Sequence, residues 1–300
     1  MAVSCEILVI LGPTASGKSD LALALARAGG GEILSVDSMQ VYRGMNIGTA
    51  KPSPAEQAEV RHHLIDLVDP NEEFTVARFV EAADAVIADA GRRGVRLIAT
   101  GGTPLYYKAL FEGLFEGPAA DAELRARLAA LGGEELSRRL REVDPAAANR
   151  LHANDTRRMV RALEVFELTG KPISSLQNEW GAGRARHPAK WLGLSWDKEA
   201  INRRTNARVK AMLAAGWVEE TRRLLDQFGS LSPTAAEATG YRELIDHVQG
   251  RLSLADAAEL IKIATRQLAR RQMKWFRRFP GVKWIAGDQP MQTLMREAIS

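Results

Sequence analysis

Five consecutive apolar residues, Ile7 to Leu11, run into the polar and glycine-bearing stretch Gly12-Pro13-Thr14-Ala15-Ser16-Gly17-Lys18-Ser19. Apolar residues then resume in Leu21-Ala22-Leu23-Ala24-Leu25-Ala26. A short apolar run followed by turn residues and a helical pattern reads as strand, loop and helix. Glu32 to Ser38 reads as a second strand with Asp37 at its C-terminal end, and 40–73 is loop-rich, punctuated by Gly44, Gly48, Pro52, Pro54 and Pro70. Helical spacing returns from Phe74 to Arg93, and a third strand, Val95 to Thr100, ends in Gly101-Gly102-Thr103-Pro104. Strands alternating with helices predict an α/β fold built on a doubly wound parallel sheet.

The pattern changes over 116–196. Asp121 to Arg141 is helical and rich in Arg and Glu, Asp144-Pro145 opens another helix, and Asn154-Asp155 precedes a helix from Thr156 to Thr169 that Gly170-Lys171-Pro172 closes. This predicts an all-helical domain inserted between two parts of the core, 1–115 and 197–300. Leu192 to Trp196 reads as the strand that returns to the sheet, Lys198 to Ala215 as a helix, Ser253 to Phe279 as a long helix, and Val282 to Ile285 as a closing strand. In the long helix, Ile261, Ile263, Ala264 and Leu268 are placed to face the core.

Composition adds limits. With 46% hydrophobic and 26% charged residues the chain is an ordinary globular one, and a net charge of +4 alone implies no polyanionic partner. The distribution of that charge does. From Lys262 to Lys283 there are eight Lys or Arg and no acid, with Arg266, Arg270, Lys274 and Arg278 recurring every four residues. That is more than a helix C-terminus needs, and points to polyanion contact. Trp180 to Trp196 likewise interleaves Arg184, Arg186, His187 and Lys190 with Trp191 and no acid, which suits either an RNA-contacting edge or core anchors. The lone Cys5 allows no disulfide framework. The N-terminus carries no secretion-signal pattern, and no apolar run reaches membrane-spanning length, so a cytoplasmic location is expected.

The loop at 12–19 fits G-x-x-x-x-G-K-[ST]. Its backbone N–H groups and Lys18 would face phosphate oxygens, and the Ser19 hydroxyl would ligate Mg²⁺. Asp37 belongs on the same sheet edge, where ligands bind in open parallel sheets. An ATP-hydrolysing enzyme usually places an acid at the end of a neighbouring strand, yet the third strand here ends in Thr-Gly-Gly-Thr. Arg204 and Arg208, four residues apart, share one helix face and can converge on an anion. His62 and His63 lack the further ligands of a metal site and are expected to be solvated or hydrogen-bonded.

Taken in order, the loop at 12–19, Val36-Asp37-Ser38-Met39-Gln40-Val41-Tyr42-Arg43-Gly44-Met45, Ile47-Gly48-Thr49-Ala50-Lys51-Pro52, Gly101-Gly102-Thr103-Pro104-Leu105-Tyr106, Asn154-Asp155, Arg158, Arg161-Ala162-Leu163-Glu164-Val165, Gly170-Lys171-Pro172, Gly240-Tyr241-Arg242-Glu243 and Thr265 to Gln272 resemble the bacterial tRNA dimethylallyltransferases, a likeness covering nearly the whole chain. The resemblance implies transfer of a dimethylallyl group from dimethylallyl diphosphate to the exocyclic N6 of the adenosine beside the anticodon, with the phosphate loop holding a leaving diphosphate. It implies Asp37 as the base, Thr103 near the reacting centre, and Lys18 with Arg204, or failing that Arg208, on the diphosphate, Mg²⁺ being held through Ser19. It further implies tRNA contacts at Asp37, Ser38, Met39, Gln40, Thr103, Arg125, Arg157, Arg158, Arg161, Gly240, Tyr241, Arg242, Arg270, Arg271, Lys274 and Arg277, and a monomer that grips the anticodon stem-loop with its helical insertion. Ser19 stands where that family often has threonine, and Thr239 where a branched apolar residue is common; neither removes a needed group. The alternatives are an isopentenyltransferase acting on free adenine nucleotides, a small-molecule kinase with the same loop, and a nucleotide-gated RNA-binding protein without chemistry.

Overall fold

The structure is a computed structural model that describes residues 7–113, 117–177 and 186–300. Six strands form one parallel sheet: β1 (Ile7–Leu11), β2 (Glu32–Ser35), β3 (His62–His63), β4 (Leu97–Thr100), β5 (Ala189–Ser195) and β6 (Lys283–Ala286), in the order β3-β2-β4-β1-β5-β6. The doubly wound parallel sheet is therefore as expected. β1 and β4 are buried along their whole length, as central strands of a covered parallel sheet must be. The helix Lys18–Gly29 packs its Leu21, Leu23 and Leu25 into a core shared with Leu8, Ile10, Ile33, Ile98 and Leu294.

Register decides what happens at the sheet edge. Ile10 and Ser35 both pair with Thr100, so β1, β2 and β4 end at one level, and Gly12, Asp37 and Gly101 leave the sheet side by side. The pairing continues past the strands: Val36 N–H donates to Thr100 O at 2.9 Å and Thr103 N–H to Val36 O at 3.2 Å. The fit is close enough that a Cβ on Gly101 would lie 2.1 Å from Val36 O, so only glycine lets these two chain segments meet.

Several boundaries differ from those the sequence suggests. β3 was not foreseen, because two histidines carry no strand pattern; His63 Nε2 pairs with Glu32 Oε2 at 2.7 Å, and His62 Nδ1 lies 2.8 Å from Val60 O. The chain divides into a core of 1–110 with 187–300 and a helical unit, 111–186, rather than at 115 and 197. The return comes earlier because β5 starts at Ala189 and pairs there with Ile7. Trp191 is thus a sheet residue stacked on Phe279 at 5.3 Å, and His187 bonds Asp84, so both have structural partners, while Arg186 and Lys190 are exposed; Trp180 and Arg184 lie outside the described residues. On the Leu254–Phe276 helix the buried face is Ala257, Ile261, Thr265, Ala269, Gln272 and Phe276, whereas Ile263, expected inside, is 43% exposed.

Among the described residues of the helical unit there are five helices: Ala122–Ala129, Gly132–Val143, Pro145–Arg150, Thr156–Thr169 and Ile173–Gln177. Asp121, Asp144 and Asp155 cap three of them by accepting backbone N–H groups. Leu124, Leu128, Leu136, Leu140, Met159 and Leu163 form its core. Within that core sits Glu164, fully buried. Its carboxylate accepts bonds from Arg125 Nε (2.8 Å), Arg161 Nη1 (2.6 Å) and Asp121 N–H (2.8 Å). Two arginines expected at tRNA are therefore also the counter-ions of a buried acid.

Burial alone would raise the Glu164 pKa, but the bonds from Arg125, Arg161 and the Asp121 amide outweigh it and hold the group below its ordinary value of 4.5. A carboxyl depressed in the folded state stabilises the fold above that ordinary value and ceases to do so as pH falls below it. Glu164→Gln is expected to cost about 1–3 kcal/mol at pH 7 in urea unfolding followed by circular dichroism. The gap from the parent protein should narrow below pH 4.5; a gap that stays constant with pH would contradict the ionic role.

Candidate active site

The phosphate loop turns through left-handed backbone at Ala15 (φ 64°) and Gly17 (φ 88°), which brings Lys18 to the first position of its helix. Orphan N–H groups and the positive end of that helix face the space above the sheet edge. Lys18 is 8% exposed, with Nζ 3.4 Å from Pro13 O. Burial first, and repulsion from Arg208 second, push its pKa down to about 8, against opposing attraction from Asp37 and Asp20. Arg208, on the Lys198–Ala214 helix, is likewise lowered, chiefly by burial. Two desolvated, mutually repelling cations that Asp37 and Asp20 only partly offset make a site that gains from binding a multivalent anion.

Two side chains hold backbone carbonyls of this loop. Trp196 Nε1 donates to Ser16 O at 3.1 Å, and Arg204 Nε donates to Ala15 O at 2.7 Å. The Arg204 guanidinium also stacks over the Trp196 ring, 4.4 Å from its centroid. Arg204 spends one N–H on the loop backbone and still lines the recess beside Gly17 to Asp20, while Arg208 lies close enough to Lys18 to repel its charge, so both arginines border the space where an anion would sit.

Asp37 stands across from the loop. Its Oδ1 accepts Met39 N–H at 2.9 Å and its Oδ2 accepts Gly102 N–H at 3.1 Å, so two backbone amides fix the carboxylate plane. Thr103 Oγ1 accepts Ser38 N–H at 2.9 Å and donates to Ser38 Oγ at 3.0 Å, tying the strand ends together beside Asp37. The Gln40 amide is fully engaged: Oε1 accepts from Ser35 Oγ at 2.8 Å, and Nε2 donates to Thr49 O and Ala50 O. That loop is held in turn by Glu220, 3% exposed, whose carboxylate accepts the N–H groups of Asn46, Ile47 and Gly48 and the Tyr241 hydroxyl.

Two recesses result. One, of about 340 Å³, is lined by Ala15 to Asp20 with Arg204, Ala207 and Arg208. The other, of about 220 Å³, lies between Lys18, Asp37, Thr103 and Arg208 and has apolar walls at Val209, Met212, Trp217 and Leu268. Lys18, Ser19 and Arg208 belong to both. Among the described residues no cluster of three or more His, Cys, Asp or Glu could hold a metal. A divalent ion would therefore rely on the Ser19 hydroxyl together with oxygens of the bound anion and water, which suits Mg²⁺ at a diphosphate.

Of the residues expected at tRNA, Asp37 to Gln40 and Thr103 line the inner recess. Arg157, Arg158, Arg242, Arg270, Arg271, Lys274 and Arg277 are exposed. Tyr241 offers no side-chain surface: it is fully buried against Trp217, with its hydroxyl on Glu220. Gly240 is buried too, at φ 101°, where a Cβ would strike Trp217 at 2.2 Å. The sequence places Gln272 only within a stretch that the family likeness gives to tRNA, and marks no site role for Glu220 or the loop-facing edge of Trp196. A polar residue in register with an otherwise small and apolar stripe was the signal for Gln272; nothing local marks the other two.

Residues 40–279 match the family model described as IPP transferase, and residues 5–70 that described as isopentenyl transferase. The chain is 48% identical over 284 residues to the tRNA dimethylallyltransferase of Geobacter sulfurreducens, covering 93% of this chain and 91% of that one. It is 45% identical over 294 residues to tRNA dimethylallyltransferase 1 of Citrifermentans bemidjiense, covering 98% and 96%. Among solved structures, the full-length tRNA isopentenylpyrophosphate transferase of Bacillus halodurans superposes with a TM-score of 0.73 at 35% identity, covering 97% of this chain and 93% of that one. A eukaryotic dimethylallyltransferase described as acting on tRNA gives 0.82 at 30% identity, covering 95% and 74%. A family match from Gln40 to Phe279, near-half identity over almost the whole chain and a shared fold all point one way, and the chain belongs to the IPP transferase family.

Proposed function

We propose that this enzyme transfers a dimethylallyl group from dimethylallyl diphosphate to the exocyclic N6 of the adenosine next to the anticodon of tRNA, releasing diphosphate. The observation that carries this reading is the pair of recesses sharing Lys18 and Arg208, one an anion cradle, the other partly apolar and ending at Asp37. The diphosphate occupies the cradle, the five-carbon chain lies toward Val209, Met212 and Leu268, and the adenine, flipped out of its loop, enters beside Asp37 to Gln40.

In the reaction the bond between C1 and the diphosphate oxygen breaks, and a bond from N6 to C1 forms. Negative charge grows on the diphosphate as it leaves; the loop N–H groups, Lys18 and Arg208 stabilise it where it develops. Mg²⁺, when bound, supplies further charge neutralisation there, and Ser19 Oγ is the side chain placed to hold it. N6 is a weak nucleophile because its lone pair is delocalised into the ring. Asp37 accepts a hydrogen bond from N6–H and takes its proton as the new bond forms. Thr103 keeps Ser38 and the base-facing segment in place. Exposed Arg270, Arg271, Lys274 and Arg277 neutralise tRNA phosphates, as Arg157, Arg158 and Arg242 do from their own helices. The protein acts as a monomer in the cytoplasm.

The test is incubation with radiolabelled dimethylallyl diphosphate, Mg²⁺ and either an anticodon stem-loop carrying the target adenosine or AMP. Label should enter the stem-loop; label in AMP alone would identify a free-nucleotide enzyme, and ATP-dependent phosphorylation of a metabolite would identify a kinase. Lys18 gives a second expectation. With its pKa near 8 in the free enzyme, Lys18 is cationic below that pH and neutral above it. Affinity for a non-reactive allylic diphosphate, measured by calorimetry, should therefore fall by up to about tenfold per pH unit above that value. Constant affinity from neutral to strongly alkaline pH would contradict the role given to Lys18.

A further inference from the structure

The buried face of the Leu254–Phe276 helix is small or apolar except at Gln272, which is 5% exposed. A buried glutamine amide needs partners at both ends. Oε1 accepts the N–H of Thr14, in the phosphate loop, at 2.8 Å. Nε2 donates to the carbonyl of Gly102, beyond the end of β4, at 2.7 Å. The N–H of that same Gly102 donates to Asp37 Oδ2 at 3.1 Å. One side chain thus closes a chain of hydrogen bonds from the diphosphate loop to the carboxylate opposite it. The approach is close: a Cβ on Gly102 would lie 2.7 Å from Gln272 Nε2.

We propose that Gln272 is a positioning residue for the transfer reaction, setting the distance between the loop that holds the donor's diphosphate and the Asp37 carboxylate that receives the acceptor's proton. The proposal rests on the function given above. Its basis is directional. A backbone N–H on one side and a backbone C=O on the other require a group that accepts at one end and donates at the other. A glutamine amide does both, a carboxylate only accepts, and a methionine of similar length donates nothing and accepts only weakly through sulfur. A neutral carboxylic acid again does both. An error of about 1 Å in the approach of N6 to C1 costs about 100-fold in rate, so loss of the stitch should appear in turnover rather than in binding.

The experiment compares Gln272→Met and Gln272→Glu with the parent enzyme in single-turnover transfer to the anticodon stem-loop, from pH 5 to pH 9, with thermal unfolding measured alongside. Gln272→Met should lower the transfer rate about 10- to 100-fold at every pH, with KM for both substrates within about threefold of the parent. Gln272→Glu should be impaired at high pH and recover toward the parent as pH falls and its carboxyl gains a proton. The ratio of its rate to the parent's then rises with acidity, a change that a merely space-filling role would not produce. A Gln272→Met variant that folds and turns over at the parental rate, or a Gln272→Glu ratio that is flat across this range, overturns the proposal. Failure of the parent enzyme itself to label the stem-loop would instead overturn the function on which it rests.

Discussion

Three parallel strands that end at the same level are the constraint on which the site depends. Because Ile10 and Ser35 both pair with Thr100, the chain leaves β1, β2 and β4 side by side. The next residues must share a narrow edge. From β1 comes the phosphate loop, from β2 comes Asp37, and from β4 come the glycines that let the others approach, Gly101 against Val36 and Gly102 against Gln272. No side chain on the third of these segments supplies an acid. The edge therefore pairs one anion cradle with one carboxylate, an arrangement suited to releasing a diphosphate at one side and collecting a proton at the other.

Electrostatics sharpens that division. Lys18 and Arg208 are both held below their ordinary pKa values, mainly by burial, so the site carries cations that water does not fully stabilise. Under the proposed function an incoming diphosphate would relieve this cost, and its growing charge during C–O cleavage would relieve it further. The supports behind these groups are spread through the core. Trp196 and Arg204 brace the loop through its backbone carbonyls, and Glu220 fixes the 46–48 amides and through them the carbonyls that orient Gln40.

Local chemistry was legible in the chain, and distant contact was not. The strand-loop-helix at 7–29, Asp37 at a strand end, the capped helix at 156–169 and the long basic helix each follow from a pattern contained in one short window. β3, at two residues, is too short to show any pattern. The start of β5 carries no strand pattern because Ala189 to Trp191 mixes polar and apolar positions, and its place is set by pairing with Ile7. Gln272 meets Thr14 and Gly102 across 258 and 170 residues. Tyr241 sits in a stretch that the family likeness assigns to tRNA, yet burial against Trp217 gives its side chain a structural task. The Ile263 position shows the same limit: periodicity placed it inward, but the packed face of its helix turns with Ile261 and Thr265.

The central claim is that Asp37 works on the acceptor while the loop works on the leaving group. Single-turnover transfer by Asp37→Ala, in preformed complexes with the anticodon stem-loop and dimethylallyl diphosphate, tests it most directly. The account predicts that both substrates bind within a few fold of the parent affinity while the transfer rate falls by about 10²- to 10⁴-fold. Transfer at the parental rate, with the loss confined to binding, would contradict it.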